Sequence, residues 1–600
     1  MLQNVVFDGN TATYGGAVIS SDNLTIGGNS SFIGNKAEAG GALFAEGKLT
    51  LDTSEGDILF SGNTATNINE GGADVYLNNK ETAVVIEGDA NTLSMDGGFA
   101  GVGSIDKNGA NTLIFDQNAD NRLFVGDFTQ TAGTTLVYAD NFFGGKNTVA
   151  EGSVLHFAGN AAVNNLRLQT GGRLDLRRPG PFAANTVTIT DLISDGSAVV
   201  VLQTDGTDAD LLKITGSADG MITIDVRAAG SNPTKKEIEV VNTEEASGNA
   251  EFKLAGGKVD IGAHEYGLTH GEDANWYLKT EGELTKTAKS VETMPALHLS
   301  IVNAGMNELR KRLGDLRSGN PDAPAGVWVR GYGKRLRVHE RTGARLNMLG
   351  MEGGIDAAAE LFGGRTYLGV MGGYLSANDI RVFQSGAPDA KGHTKTPVAG
   401  LYATWLPHNS PWFVDLTARH FWVHTDLDNL SGGNRTNGYD IKRGFWAFTA
   451  ETGRLFDFDA PRALNAGSSL ITFEPKIELR YVHGEAKDFT ADNGEIGSID
   501  STSSLVSRFN LQTSYLPEGR TSNWKLFLEL GLYNEWIGRT KVKFADTRLT
   551  TSDLSGLGFE ASLGFNAAVA ENAYCYGAVT LEAGEAYTSY QLNAGLRVSF

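Results

Sequence analysis

From about residue 327 to its end, the chain alternates apolar and polar positions with a period of two. The alternation comes in runs of roughly 10 to 15 residues, separated by turns rich in Gly, Asn, Asp or Pro. Twelve such runs can be counted, near 327–338, 347–360, 366–380, 394–406, 412–426, 439–455, 470–483, 503–516, 524–536, 557–570, 572–584 and 588–600. The ninth is the clearest. Trp524, Leu526, Leu528, Leu530, Leu532 and Trp536 share one face, and Lys525, Phe527, Glu529, Gly531, Tyr533 and Glu535 share the other. Leucines bracketed by Trp524 and Trp536 suit a strand that faces lipid between two aromatic girdles. The seventh run opposes Ile471, Phe473, Ile477, Leu479 and Tyr481 to Thr472, Glu474, Lys476, Glu478 and Arg480. Charges on the second face require a wet or polar-filled interior. A soluble sandwich would bury the apolar face instead, but its strands are usually about 5 or 6 residues long. Runs of this length match a bilayer crossed on a tilt. The pattern therefore predicts a twelve-stranded antiparallel transmembrane barrel over 325–600.

A helical period precedes the barrel. Leu297, Ile301, Leu309, Leu313 and Leu316 recur at helix spacing over 296–317, with Pro295 at a tolerated first-turn position and Asn320-Pro321 as a stop. Such a helix is about 33 Å long and about 10 Å wide. A barrel of twelve strands lies between those filled by side chains and those that enclose a channel, so its interior should hold one helix. Arg310, Lys311 and Arg312 would then meet inward carboxylates, for which Glu474, Glu478, Glu529 and Glu535 are the candidates.

The amino-terminal half is repetitive. Phe7-Asp8-Gly9-Asn10 precedes Gly15-Gly16-Ala17, Phe32-Ile33-Gly34-Asn35 precedes Gly40-Gly41-Ala42, and Phe60-Ser61-Gly62-Asn63 precedes Gly71-Gly72-Ala73, with the phenylalanines 25 and 28 residues apart. That interval is about one turn of a right-handed parallel β-helix. Phe would stack in its core, Asn would ladder from rung to rung, and paired Gly would turn the corner. Weaker rungs follow at 112–115, 153–157, 166–168, 173–176 and 187–190, and Trp276 and Tyr277 fall where a carboxy-terminal cap of the stack would lie.

Composition narrows the class further. There are 76 glycines and 13 prolines in 600 residues, which favours β-structure and turns, and no stretch approaches 18 consecutive apolar residues. The net charge of −21 argues against nucleic acid as a partner. Cys575 is the only cysteine, so an internal disulfide framework is excluded. A cross-link-free chain also suits threading through a narrow pore. Met1 to Phe7 runs directly into the first repeat without the basic and apolar regions of an export leader, so the native start is expected upstream.

The sequence contains no Gly-x-Ser-x-Gly, no His-Glu-x-x-His and no Cys/His metal spacing. Asp205-Gly206-Thr207-Asp208 lacks the spaced ligands of a calcium loop and reads as a turn. His420 and His424 read as decoration of the fifth strand. No metal and no cofactor is expected.

Taken together, the passenger end Asp273-Ala274-Asn275-Trp276-Tyr277-Leu278, the helix, the barrel start Val327-Trp328-Val329-Arg330-Gly331-Tyr332-Gly333 and the terminal strand resemble a classical (type Va) autotransporter over about 259–600. The FxGN and GGA repeats resemble those of chlamydial polymorphic membrane proteins over about 5–75. Asn593, Gly595, Val598 and Phe600 resemble the terminal signal read by the barrel-assembly machinery. The resemblance implies an outer-membrane barrel with a lumenal helix, embedded in lipid and assembled by that machinery with periplasmic chaperones. It also implies a passenger at the cell surface or secreted, where a host-cell receptor would be its partner. The expected organisation is 1–110 β-helix with repeats, 111–280 further rungs with an autochaperone-like cap, 281–324 linker with helix, and 325–600 barrel.

In the serine-protease members of that class, a lumenal Asn cuts its own main chain before a Lys-Arg-x-Gly-Asp-Leu-Arg segment. The segment Met306-Asn307-Glu308 through Arg317 resembles that frame, with Asn307 at the attacking position and Glu308 in place of a second Asn. Two functional readings stand at this stage. One is the export and display of an adhesin or virulence-type surface protein. The other is a stalk and translocator for a surface or secreted protease or esterase whose catalytic module lies further upstream.

Overall fold

The computed structural model describes residues 1–67, 71–229, 235–306, 323–339, 342–383, 390–430, 436–459, 469–550 and 552–600. It divides into two compact units, Met1–Glu283 and Leu284–Phe600.

The first unit is a stack of short parallel strands. One ladder runs from Leu2–Gln3 through Leu24–Gly27, Leu49–Asp52 and Ala83–Glu87 to Glu237–Asn242, and a second runs from Val6–Asp8 through Ser30–Ile33, Ile58–Ser61 and Thr92–Met95 to Glu251–Leu254. A third, shorter ladder joins Val18–Ser20, Leu43–Ala45, Val75–Leu77 and Phe99–Gly101. The repeats act as their residue types require. Phe7, Phe32 and Phe60 stack with ring centroids 5.2 and 4.8 Å apart. The Asn10 amide donates to Asn35 Oδ1 at 2.9 Å and the Asn35 amide to Asn63 Oδ1 at 3.1 Å. Asn63 in turn donates to Asp74 Oδ1 at 2.9 Å. The corner glycines leave no room, since a Cβ on Gly16 would lie 2.2 Å from Gly41 O and one on Gly41 the same distance from Ala73 O. Each repeat thus supplies one ring, one amide and one tight corner to the next. At the far end the ladder turns antiparallel, as Trp276–Lys279 pairs with Glu237–Asn242 and with His264–His270. Trp276 packs its ring on Phe252 and His270.

The second unit is a closed barrel around one helix, α1 (Lys286–Gly305). Its strands are β1 (Ala325–Val338), β2 (Gly343–Leu361), β3 (Gly364–Phe383), β4 (Ala390–Pro407), β5 (Trp412–Leu430) and β6 (Thr436–Arg454). They continue with β7 (Leu470–Gly484), β8 (Thr502–Leu516), β9 (Trp524–Glu535), β10 (Gly556–Ala570), β11 (Ala573–Gly584) and β12 (Tyr587–Ser599). Phe456–Asp459 continues the sixth stave against β7. All neighbours are antiparallel, and β1 closes on β12 over thirteen paired positions from Gly326↔Ser599 to Val338↔Tyr587. Phe600 and Ala325 exchange backbone hydrogen bonds at 3.0 and 3.1 Å, which locks the last residue to the first strand. The alternation is realised in space. Leu526, Leu528, Leu530 and Leu532 are exposed on the outer wall of β9, while Lys525, Phe527, Glu529 and Tyr533 are buried within.

The helix corrects the expected boundaries. It starts ten residues earlier than the apolar period suggested, because Thr285 caps it by accepting from Ala288 N at 3.0 Å, and Pro295 lies in its interior instead of its first turn. The missed first turns are polar yet buried: Thr287, Ser290 and Thr293 are each at most 1% exposed. The barrel wall hydrogen-bonds them, so no apolar stripe was needed there. Leu309, Leu313 and Leu316 lie outside the described residues.

Candidate functional site

The lumen is the place where side chains of distant strands converge on α1. Its upper part, toward the long connections 485–501 and 536–555, holds the helix with neutral groups. Asn437 Nδ2 donates to Thr287 Oγ1 at 3.1 Å, Ser290 Oγ meets the Tyr439 hydroxyl at 3.1 Å, and Thr293 donates to Thr342 O at 2.8 Å. His298 Nε2 lies 3.0 Å from Thr425 Oγ1. Between these contacts Met294, Leu297, Ile301 and Val302 are buried.

The lower part is charged. Helix carbonyls are left without partners at a carboxy-terminus and carry partial negative charge. Here the Gly305 carbonyl accepts from Arg419 Nη1 at 2.6 Å and from Arg330 Nη2 at 3.4 Å. Arg480 Nη1 reaches Asn303 O at 3.5 Å and its side-chain oxygen at 3.4 Å. Glu352 balances the first two cations, 2.7 Å from Arg330 and 3.5 Å from Arg419, and accepts from the Tyr332 hydroxyl at 3.2 Å. A charge inside a membrane protein persists only when paired or hydrogen-bonded. β1, β2, β5 and β7 thus combine to grip the end of α1. The fit is close, since a Cβ on Gly305 would lie 2.8 Å from the Phe421 ring.

The four expected carboxylates all point inward and are buried: Glu474, Glu478, Glu529 and Glu535 are each at most 5% exposed. Partners on the barrel are described for three of them. Glu478 pairs with Arg480 at 2.8 Å and faces Arg508 at 3.7 Å, Glu529 pairs with Lys476, and Glu535 accepts from Ser504 and from the backbone of Leu505 and Ile537. Further round, Arg508 pairs with Glu560 and with Glu582 at 3.1 Å, and Lys334 with Glu582 at 2.6 Å. Arg597 holds Asp356 through two bonds of 2.7 and 2.6 Å. Asn307, Glu308, Arg310, Lys311 and Arg312 lie outside the described residues.

The remaining expected sites fall as follows. Trp524 opens β9 and Trp536 directly follows its last residue, and both are exposed. On β12, Asn593 is buried inside and Phe600 is exposed outside, and a Cβ on Gly595 would lie 2.3 Å from the Tyr576 ring. Tyr277 donates to Asp273 in the antiparallel end of the first unit. Sequence reasoning set Arg480 on the polar face of the seventh run and Arg330 in the barrel-start motif without assigning either to a site, and it did not name Glu352 or Arg419. The available signal was their place on the polar face of alternating strands, where an intramembrane charge is itself a marker of function.

Comparison with known proteins is consistent with this geometry. Residues 327–580 match the family described as autotransporter beta-domain, 163–280 match pertactin, and 4–22 match the Chlamydia polymorphic membrane protein repeat. The chain is 25% identical to the autotransporter adhesin/invasin TibA of Escherichia coli O78:H11, over 92% of this chain and 63% of that one. It is 27% identical to the autotransporter CRAC of Citrobacter rodentium, over 78% and 30%. It is 29% identical to the BrkA autotransporter of Bordetella pertussis, over 61% and 35%. The matches thus span between 30% and 63% of the length of these relatives.

Proposed function

We propose that the chain is a classical autotransporter whose outer-membrane barrel exports and displays the preceding β-helix as an adhesin or virulence-type surface protein. The observation that carries the proposal is α1 itself, a helix bound inside a closed barrel of the same chain that follows directly on the parallel-stranded unit. In this reading 281–324 is the linker, 325–600 the translocator, and 1–110 with 111–280 the passenger, whose antiparallel end at Trp276 and Tyr277 acts as its cap. The barrel-assembly machinery, with periplasmic chaperones, would recognise the Asn593, Gly595, Val598 and Phe600 strand, and Trp524 and Trp536 would seat in the two aromatic belts. A host-cell receptor is the expected partner of the passenger. The test is to express the complete gene in a non-adherent host, shave intact cells with protease, and measure attachment to epithelial cells. Removal of the passenger, protection of the barrel and loss of attachment on shaving support the proposal; display without any gain in attachment overturns its adhesin part.

Self-cleavage at Asn307 is a finer reading of the same region. It is supported by the resemblance of the segment from Met306 to Arg317 to the self-cleaving frame and by Glu352, a lumenal carboxylate held by the two arginines that bind the Gly305 carbonyl just upstream. Amino-terminal sequencing of the membrane-embedded species decides it, because a fragment starting at Glu308 requires the cut and an uncut chain refutes it.

A further inference from the structure

Toward one end the outer wall of the barrel changes from apolar to charged side chains. Arg337 on β1 is directly opposite Arg345 on β2, Arg345 opposite Arg381 on β3, and Arg381 opposite Lys391 on β4. All four side chains are exposed on the outside of the barrel. Adjacent strands lie about 4.8 Å apart, so the four cations form a row about 14 Å long. Like charges directly opposite each other destabilise a sheet. Arg381 pairs with Asp379 at 2.8 Å, both half exposed, and the row ends where Lys391 lies directly opposite exposed Asp428 on β5. Arg337 and Arg345 instead share one ring, 5.9 and 5.1 Å from the Phe383 centroid. Stacked in this way, their guanidinium edges keep donors free for another acceptor.

The height of the row matters as much as its charge. Phe600 and Ala325 mark the end of the barrel with the chain termini, and the long connections 485–501 and 536–555 mark the other, which is the external end in barrels of this kind. The row lies at that external end. Below it on the same wall are exposed Leu349, Met351 and Ile355 of β2 and Leu368 and Val370 of β3. Leu349 is four residues from Arg345, roughly 10 Å along the membrane normal for a strand tilted by about 40°. Cations at that level meet lipid headgroups of the outer leaflet, and the apolar wall beneath meets their chains.

We propose that this face of β1 to β4 binds the phosphorylated sugar headgroup of the outer-leaflet glycolipid. Its phosphates lie along Arg337, Arg345, Arg381 and Lys391, and its acyl chains lie on the leucine and methionine wall below. A headgroup with two phosphates on a rigid disaccharide spans several strands, which a single phosphodiester does not. The inference rests on placement of the barrel in the outer membrane, and heat-modifiable mobility of the chain in outer-membrane fractions tests that premise separately.

The full-length protein in detergent is titrated by native mass spectrometry with bis-phosphorylated lipid A, with phosphate-free lipid A and with phosphatidylglycerol. The wild-type chain is expected to retain the first in preference to both others. At about 1 kcal/mol for each interfacial cation, Arg337→Gln combined with Arg345→Gln weakens retention about 30-fold. Arg337→Lys combined with Arg345→Lys preserves most of it and guards against a misfolded double variant. Lys442→Gln, on β6, leaves it unchanged. Equal retention of phosphate-free lipid A overturns the proposal in favour of acyl packing alone. Equal retention of phosphatidylglycerol overturns it in favour of any anionic lipid.

Discussion

Removing one amide from the ladder of the first unit tests whether that ladder is what ties rung to rung. Asn63 is 5% exposed and makes four hydrogen bonds. Its Oδ1 accepts from Asn35 N at 3.0 Å and Asn35 Nδ2 at 3.1 Å, and its Nδ2 donates to Phe32 O and Asp74 Oδ1, both at 2.9 Å. Asn63→Ala deprives the Asn35 backbone N–H and Asp74 Oδ1 of the bonds described for them, while Asn35 Nδ2 keeps its bond to Phe7 O. At about 1 to 3 kcal/mol for each orphaned buried group, the cost is about 4 kcal/mol. Repeat stacks respond locally, so the loss belongs to the neighbouring rungs. Hydrogen exchange on the full-length protein should show protection over residues 30–75 falling about a thousandfold, with residues 186–242 unchanged. Asn63→Asp sharpens the test. It keeps the acceptor oxygen but turns the donor into a second carboxylate facing Asp74, and a proton shared between them at low pH restores the lost donor. Protection should therefore recover at pH 5 and be lost at pH 8. A change below tenfold in Asn63→Ala, or a pH-independent Asn63→Asp, would refute the reasoning.

Burial pushes the Asp74 carboxyl up to about 7 and the Asp210 carboxyl up to about 6. Groups with raised folded values give full stability below the unfolded pKa of about 4, which is lost as pH rises through 6 to 7, so the first unit should resist urea better at pH 5 than at pH 8 and Asp74→Asn should flatten the difference. Leu530→Arg puts a charge at the middle of the lipid-facing side of β9, which costs about 2 to 4 kcal/mol; a urea titration of the heat-modifiable band should show it, and an unchanged midpoint would remove β9 from the bilayer. Replacing Arg330 and Arg419 together by Met removes both of these donors from the Gly305 carbonyl and both of these cations from Glu352. Ion conductance in planar bilayers should rise as the helix end loosens, and a channel as quiet as the wild type would show that the grip is dispensable.

The strands were legible because a two-sided wall imposes a local rule: every second side chain meets lipid, and the next meets the lumen. The helix was legible only where it meets apolar wall, at Leu297 and Ile301. Its first two turns pass among hydroxyl and amide groups of the barrel, such as Tyr439 and Asn437, so Thr287 and Ser290 carry no apolar signal and Pro295 was taken for a start. The grip on Gly305 is harder still to read from sequence. The inward side of Arg330 and Arg419 follows from alternation, but their meeting at one carbonyl depends on the stagger of strands 89 residues apart in the chain. The basic row has the same character. Arg345 faces Arg381 because the β2 to β3 register shifts between Arg345 and Met348; without that irregularity the arginine would oppose a different residue and the row would be broken. Alternation thus assigns each side chain to a face, whereas register assigns it to neighbours. Chemistry that needs several strands, whether the clamp within the lumen or the cations outside it, is written in the second and becomes visible only when the barrel is closed.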